Sequence, residues 1–299
     1  MATTGLPPTT HTDLSRVTET LEMIAPRWSA WVLMTLAERP LRYAEIKPKL
    51  PWLADGQLHP RLRKLTEAGL VERTAYAPRH VTYGLTRRGA ELMPVLAVIA
   101  TWGNTHLEKD LVPNAKTGEL EPERIAAADT VEDSLVLITP RHATPLLWTL
   151  KARGSASAKS LAADAMPGYN LSTVYPPLRQ LIDDGLVDVT DASVFRLSAT
   201  GQALAPVYSA LSAWAAGRQV ATAPAHVLWG PALSPSQGRT GTWVTHHERQ
   251  PASRASEVAA APAVSAAQRP AARWQPGDLF SHQVPARPIA APPAGGHRR

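Results

Sequence analysis

LHPRLRKLTEAGLVERTAYAPRHVTYGL, residues 58–85, decides how the rest of the chain is read. Leu58, Leu62 and Leu65 fall on one side of a helical wheel and pack inward, and Gly69 supplies the left-handed exit that ends the helix. Leu70 to Tyr76 and Val81 to Leu85 then alternate in the manner of strands, separated by Ala77-Pro78. A basic amphipathic helix followed by a hairpin with cations at its turn is the outline of a recognition helix and wing.

The polar residues of this stretch have a chemistry that fits the outline. Gln57, Pro60, Arg63 and Lys64 lie roughly opposite the leucines, with His59 and Arg61 on the flanks. In a major groove, Arg or Lys can reach guanine acceptors and Gln can pair with adenine. Pro60 is expected in the first helical turn or just past it, where a missing N–H is tolerated. Arg73, Arg79 and His80 gather at the hairpin turn, where such side chains meet phosphates or the adjacent minor groove. A solvated surface helix explains the first set alone equally well. Helix and hairpin together, in this order and spacing, favour double-stranded DNA as the partner.

The same outline returns further along. Ile24-Ala-Pro-Arg27 matches Ile138-Thr-Pro-Arg141 at an offset of 114, and Leu62-Arg63, Leu65 and Gly69-Leu70-Val71 match Leu178-Arg179, Leu181 and Gly185-Leu186-Val187 at 116. Tyr83, Leu85, Gly89, Leu92, Pro94 and Trp102 match Phe195, Leu197, Gly201, Leu204, Pro206 and Trp214 at 112. Offsets this similar mean a tandem repeat with short loop insertions. In the first copy, apolar periodicity predicts helices over Leu14 to Ile24, from an N-cap at Ser29 to Leu36, over Arg42 to Leu50, from an N-cap at Asp55 to Ala68, and from a Thr86 cap through Trp102. The second copy keeps this scaffold and loses charge: Arg61 becomes Pro177, Lys64 becomes Gln180, and the shorter wing carries Asp188 and Asp191. Ser172, Thr173, Tyr175 and Arg179 remain there as candidate backbone contacts.

The fold class expected is mainly α with small β-hairpins: two tandem winged helix-turn-helix domains plus a disordered C-terminal tail. The boundaries are a disordered N-terminus over 1–13, a first domain over 14–110, a linker over 111–129, a degenerate second domain over 130–220, and an Ala/Pro/Arg-rich tail over 221–299. Residues 221–299 hold eight Arg, no Lys and three acids, so five of the chain's six net positive charges lie in the tail. The high pI is therefore no argument for a DNA-binding fold. The informative contrast lies between the copies: fourteen Lys and Arg against eleven acids in 1–110, nine against eleven in 111–220.

Composition also excludes. The chain has no cysteine, so disulfides, thiolate metal sites and thiol redox sensing are absent. No GxGxxG, P-loop, HExxH or GxSxG arrangement occurs, and His246-His247 has no third ligand at useful spacing, so neither catalysis, cofactor nor metal is expected. MATTGLPPTTHTD has neither the basic start nor the apolar core of a signal peptide, and the longest apolar run, Leu92 to Trp102, is too short to span a bilayer. A cytoplasmic, nucleoid-associated protein is the expectation.

Residues 14–108 resemble the HxlR family of bacterial winged-helix regulators, itself similar to MarR-type and PadR-type proteins. The resemblance rests on PRWSAWVLMTL, RYAEIKPKL, LHPRLRKLTEAGLVER and VTYGLTRRGAEL with the Trp102-Gly103 ending, while STVYPPLRQLIDDGLV of the second copy is PadR-like. It implies a dimeric repressor or activator of transcription paired through its first and last helices. The chain departs from it in lacking the cysteine that members often carry before the first helix, and in its tandem form, which permits either a homodimer or an internal pseudo-dimer of its two copies. A small-molecule effector between the copies, near Trp28, Trp31, Trp102 and Trp148, is a further expectation, although indoles are by default packing groups. The alternative function is a winged-helix protein-protein interaction module without sequence-specific DNA binding.

Overall fold

The computed structural model describes residues 8–77, 80–190 and 193–230. Its first half runs α1 (Pro8–Ile24), α2 (Ser29–Thr35), β1 (Leu41–Arg42), α3 (Tyr43–Lys49), α4 (Asp55–Glu67), β2 (Val71–Ala77), β3 (His80–Leu85) and α5 (Arg87–His106). The three strands form an antiparallel sheet in the order β1-β3-β2, with Leu41 opposite Tyr83 and Arg73 opposite Tyr83 on its other side. This is the helical fold with small hairpins that the sequence implies. Leu58, Leu62 and Leu65 of α4 are fully buried, and together with Ile46, Leu33 and Leu92 they fix the helix against the core.

A hairpin, β4 (Leu111–Pro113) with β5 (Leu120–Pro122), leads to a second set of elements: α6 (Ala127–Ile138), α7 (Ala143–Arg153), β6 (Ser155–Ser157), α8 (Ala158–Ala165), a 3₁₀ turn over Leu171–Val174, α9 (Tyr175–Asp183), β7 (Val187–Val189), β8 (Val194–Leu197), α10 (Ala199–Gln202) and α11 (Ala205–Ala215). Their sheet has the order β6-β8-β7, the counterpart of β1-β3-β2. Local devices recur as well. Gly69 and Gly185 end their helices at φ 70° and 69°. Thr86 Oγ1 donates to the Gly69 carbonyl and accepts from Gly89 N, and Ser198 Oγ does the same with Gly185 and Gly201. Pro94 sits inside the continuous α5, whereas its counterpart Pro206 stands in the first turn of α11, just after the break from α10.

The first helix of each set packs on the last helix of the other, α1 on α11 and α6 on α5, and α5 also lies along α11. Such reciprocal pairing is what a two-fold dimer interface looks like. Here both halves belong to one chain.

Several expected boundaries are corrected. The N-terminus is helical from Pro8, because Asp13 is tied to Ser212 and His226 across the molecule. Residues 221–230 are ordered: after a 3₁₀ turn over Val220–Thr222 the chain folds back through a His226–Gly230 bridge and buries Trp229 against Trp148 and Tyr208. The rest of the tail, 231–299, lies outside the described residues. The segment 111–129 holds the β4–β5 hairpin and the first residues of α6. The N-cap before α2 is Trp28, at φ 73°, so Ser29 is the first helical residue and its buried hydroxyl has no partner. Ala54 caps α4, which leaves the Asp55 carboxylate free to bind Tyr43. Pro60 is the sixth residue of α4, in its second turn, so the bond to the Gly56 carbonyl is missing at an exposed position where water can replace it. Among the described residues no helix is long and apolar enough to cross a membrane, and no group of His, Asp or Glu is arranged to hold a metal ion.

Candidate nucleic-acid interface

The helix-turn-helix is locked at the start of α4. Tyr43 of α3 stacks flat on His59, 4.1 Å between ring centres, and its hydroxyl donates to Asp55 Oδ1 at 2.6 Å. Burial and this bond to a carboxylate push the Tyr43 hydroxyl up to about 12. The bond, opposed by some desolvation and helped by Lys47, holds Asp55 below its usual range. Lys47 also donates to the Leu53 carbonyl in the turn. A short turn bound at three points fixes the angle between α3 and α4.

With its leucines inward, α4 turns His59, Pro60, Arg63 and Lys64 to solvent, while Gln57 is half-buried at the edge. Arg63 approaches Glu67 one turn on at 3.6 Å, but both side chains are more than 60% exposed, so the pair is screened and Arg63 can leave it at little cost. Arg61 points elsewhere. It is half-buried, its Nε is buried without a hydrogen bond, and the charge acting on it is that of Glu132 on α6. Among the described residues expected here, Arg61 is the one the structure separates from the outer face.

Across from α4, Arg73 projects from β2 opposite Tyr83. Between helix and sheet lies an open concavity of about 420 Å³, lined by His59, Pro60, Arg63, Thr66, Glu67, Arg73 and Tyr83. Arg63 and Arg73 thus flank one groove from two elements, an arrangement suited to a polyanionic strand. Further along the hairpin, His80 Nε2 and Arg42 Nη2 are 2.7 Å apart, and Tyr76, 72% exposed, meets the His80 ring edge-on at 5.7 Å. Arg79 lies outside the described residues. Arg42 and Tyr76 escaped the sequence reading: Arg42 reaches the wing only because the two-residue β1 pairs with β3, and a two-residue strand leaves no periodic signal.

The tryptophans named above for an effector do not converge. Trp28 and Trp31 cluster with Trp52 at 4.6 and 5.0 Å, Trp102 packs near His106, and Trp148 is enclosed by Tyr208, Trp229 and His226.

Residues 23–111 match the HxlR-like helix-turn-helix family. An uncharacterized HTH-type transcriptional regulator from Methanothermobacter thermautotrophicus is 34% identical over 85 residues, 28% of this chain and 65% of the relative. The chain thus spans just under two thirds of that relative. The uncharacterized HTH-type transcriptional regulator YkvN of Bacillus subtilis is 34% identical over 93 residues, 30% of this chain and 79% of the relative. A solved structure described as a MarR-family transcriptional regulator from Porphyromonas gingivalis W83 is 27% identical over 30% of this chain and 89% of its own, with a TM-score of 0.28. The recurrence of the family's pattern through the turn, α4 and the hairpin, with YkvN matched over most of its length, establishes that the chain belongs to the HxlR-like helix-turn-helix family.

Proposed function

We propose that the protein is a transcriptional regulator that binds double-stranded DNA, with α4 in the major groove and the β2–β3 wing against the neighbouring backbone. The observation that carries this reading is the groove flanked by Arg63 and Arg73, with Lys64 beside it on the outer face of a helix whose position is fixed by Tyr43, Asp55 and Lys47. Arg63, Lys64 and Gln57 are the base-reading candidates; Arg73, Arg79, His80 and Arg42 position the backbone, and His59 and Pro60 line the approach. Arg61 supports the packing of the two copies instead. The second set of elements serves as a built-in dimer partner, a winged-helix copy that has kept the scaffold and lost the cations.

The test is a gel-shift titration on a DNA sequence selected by the purified full-length protein from a random pool. Replacing Arg63 and Lys64 together by Ala should weaken binding at least tenfold on the selected sequence, since a single bidentate base contact is worth about 1–3 kcal/mol. Unchanged affinity would remove α4 from the groove. A second reading, an interaction module that does not read DNA, is favoured by the exposed Tyr169, Leu171 and Tyr175 on the second copy, which resemble a protein contact more than a phosphate contact. Genome-wide immunoprecipitation without enriched sites would decide for it.

A further inference from the structure

The two copies present opposite electrostatics at equivalent places. From Asp55 to Glu67 the first copy carries three cations and two acids, and its hairpin adds Arg73 and Arg79 against Glu72. The corresponding helix region of the second copy, residues 171–184, has Arg179 as its one cation against Asp183 and Asp184. Its hairpin, 187–197, has Arg196 against Asp188 and Asp191. One of these two cations is engaged internally: Arg196 lies 3.5 Å from Asp188. The shorter strands, three and four residues against seven and six, also shorten the arm that would reach a backbone.

At the same time the pairing surfaces are occupied. Val98, Ile99 and Trp102 of α5 and Val131, Leu135 and Ile138 of α6 are all buried within the one chain. A two-fold protein selects a two-fold DNA site because both of its reading heads are alike and spaced by about one turn, ~34 Å. Here the second head has the fold of the first but a surface that phosphates repel.

We propose that one chain, binding alone, reads a single unrepeated half-site of double-stranded DNA, and not an inverted repeat. The inference rests on the DNA-binding reading above. It makes the recognised element asymmetric and gives the complex a fixed polarity, with the second copy riding over DNA that it does not read.

The experiment is selection of the full-length protein on a random duplex pool, followed by sedimentation of the complex and titration of Arg179→Ala. The expected result is one enriched block within a single helical turn, one chain per duplex, and an affinity for Arg179→Ala within twofold of the parent, while Arg73→Ala loses several-fold. Two enriched blocks in either orientation, two chains per duplex, or a loss for Arg179→Ala comparable to that for Arg73→Ala would overturn it with the DNA-binding reading intact. No binding to any duplex would overturn both.

Discussion

Glu132 of α6 meets Trp28, Arg27 and Arg61 of the first set of elements. Burial raises its pKa to about 7; the Trp28 backbone N–H opposes the shift, Asp129 reinforces it, and Arg27 and Arg61 oppose it again. Its Oε1 has no hydrogen-bond partner, and Trp28 holds a left-handed backbone, a conformation that costs about 1–3 kcal/mol in a non-glycine residue. For an acid whose pKa is higher in the folded state, the native protein holds more protons than the unfolded chain between the two values. Stability therefore falls as pH rises from the ordinary glutamate range to about 7, by an amount on the order of 3 kcal/mol. Glu132→Gln should be more stable than the parent at pH 8, equal to it near pH 4, and flat between on this account; chemical denaturation across that range measures it. The same site shows where sequence reading stops. A helical wheel puts Arg61 on the flank of a recognition helix, and nothing in residues 55–67 reveals that the charge of Glu132 on α6 acts on that flank. Arg73 is a different case: as a backbone contact, Arg73→Ala should weaken binding about equally on selected and random DNA, several-fold at low salt and less at high salt. Loss confined to the selected sequence would make it a base-reading residue.

Between elements, the α5–α6 crossing depends on Gly103. A Cβ there would lie 2.3 Å from Ser134 Oγ and 2.6 Å from Thr130 Cγ2, so the two helices approach as closely as a bare backbone allows. On helix propensity alone, Gly103→Ala would stabilise by about 1 kcal/mol. The overlap with α6 should reverse the sign and cost about 1–3 kcal/mol, as overpacking does. A lower urea midpoint for Gly103→Ala, at unchanged slope, is the expected outcome, and a higher midpoint would show that α6 is free to move away. Elements with a strong period were legible in advance: α1, α4, α5, β2 and β3 all follow from leucine spacing, alternation and the Gly69 and Thr86 stops. The two-residue β1 and the β4–β5 hairpin were not: β1 buries Leu41 but is too short to show a period, and Leu111 and Leu120 of the hairpin are exposed. The repeat was an informative sequence feature: the paired glycines Gly69 and Gly185 both lie at a φ near 70°, and Gly89 and Gly201 both face a leucine carbonyl too closely for a Cβ.

Across the whole molecule, the chain is closed by a strap that periodicity could not foresee. Residues 220–230 return over α11, where Trp229 stacks beside Tyr208 at 4.6 Å and meets Trp148 edge-on at 5.6 Å. His226 accepts the backbone N–H groups of Leu228 and Trp229 at Nδ1, so its Nε2 carries the proton that it donates to Asp13 at 2.5 Å. Ser212 of α11 donates to the same carboxylate at 2.8 Å, so Asp13 joins α1, α11 and the strap in one network. Burial alone would raise the Asp13 pKa, but the hydrogen bonds from His226 and Ser212, with the charge of Arg218, outweigh it and hold the pKa below its usual 3.8. For an acid with a lowered folded pKa, the stabilisation is complete above the unfolded value and disappears as pH falls through the folded one. Asp13→Asn should therefore be less stable than the parent at pH 7 by about 1–3 kcal/mol, the cost of weakening a buried hydrogen-bonded network. The difference should shrink as pH drops below 4, where the parent's carboxylate also becomes neutral. Trp229 fluorescence is not separable from eight other indoles, so the strap is best followed by backbone amide exchange. Faster exchange at Leu228 and Trp229 and along α1 in Asp13→Asn is expected together with the stability loss, whereas faster exchange in the strap alone would show that α1 is held by α11 without it.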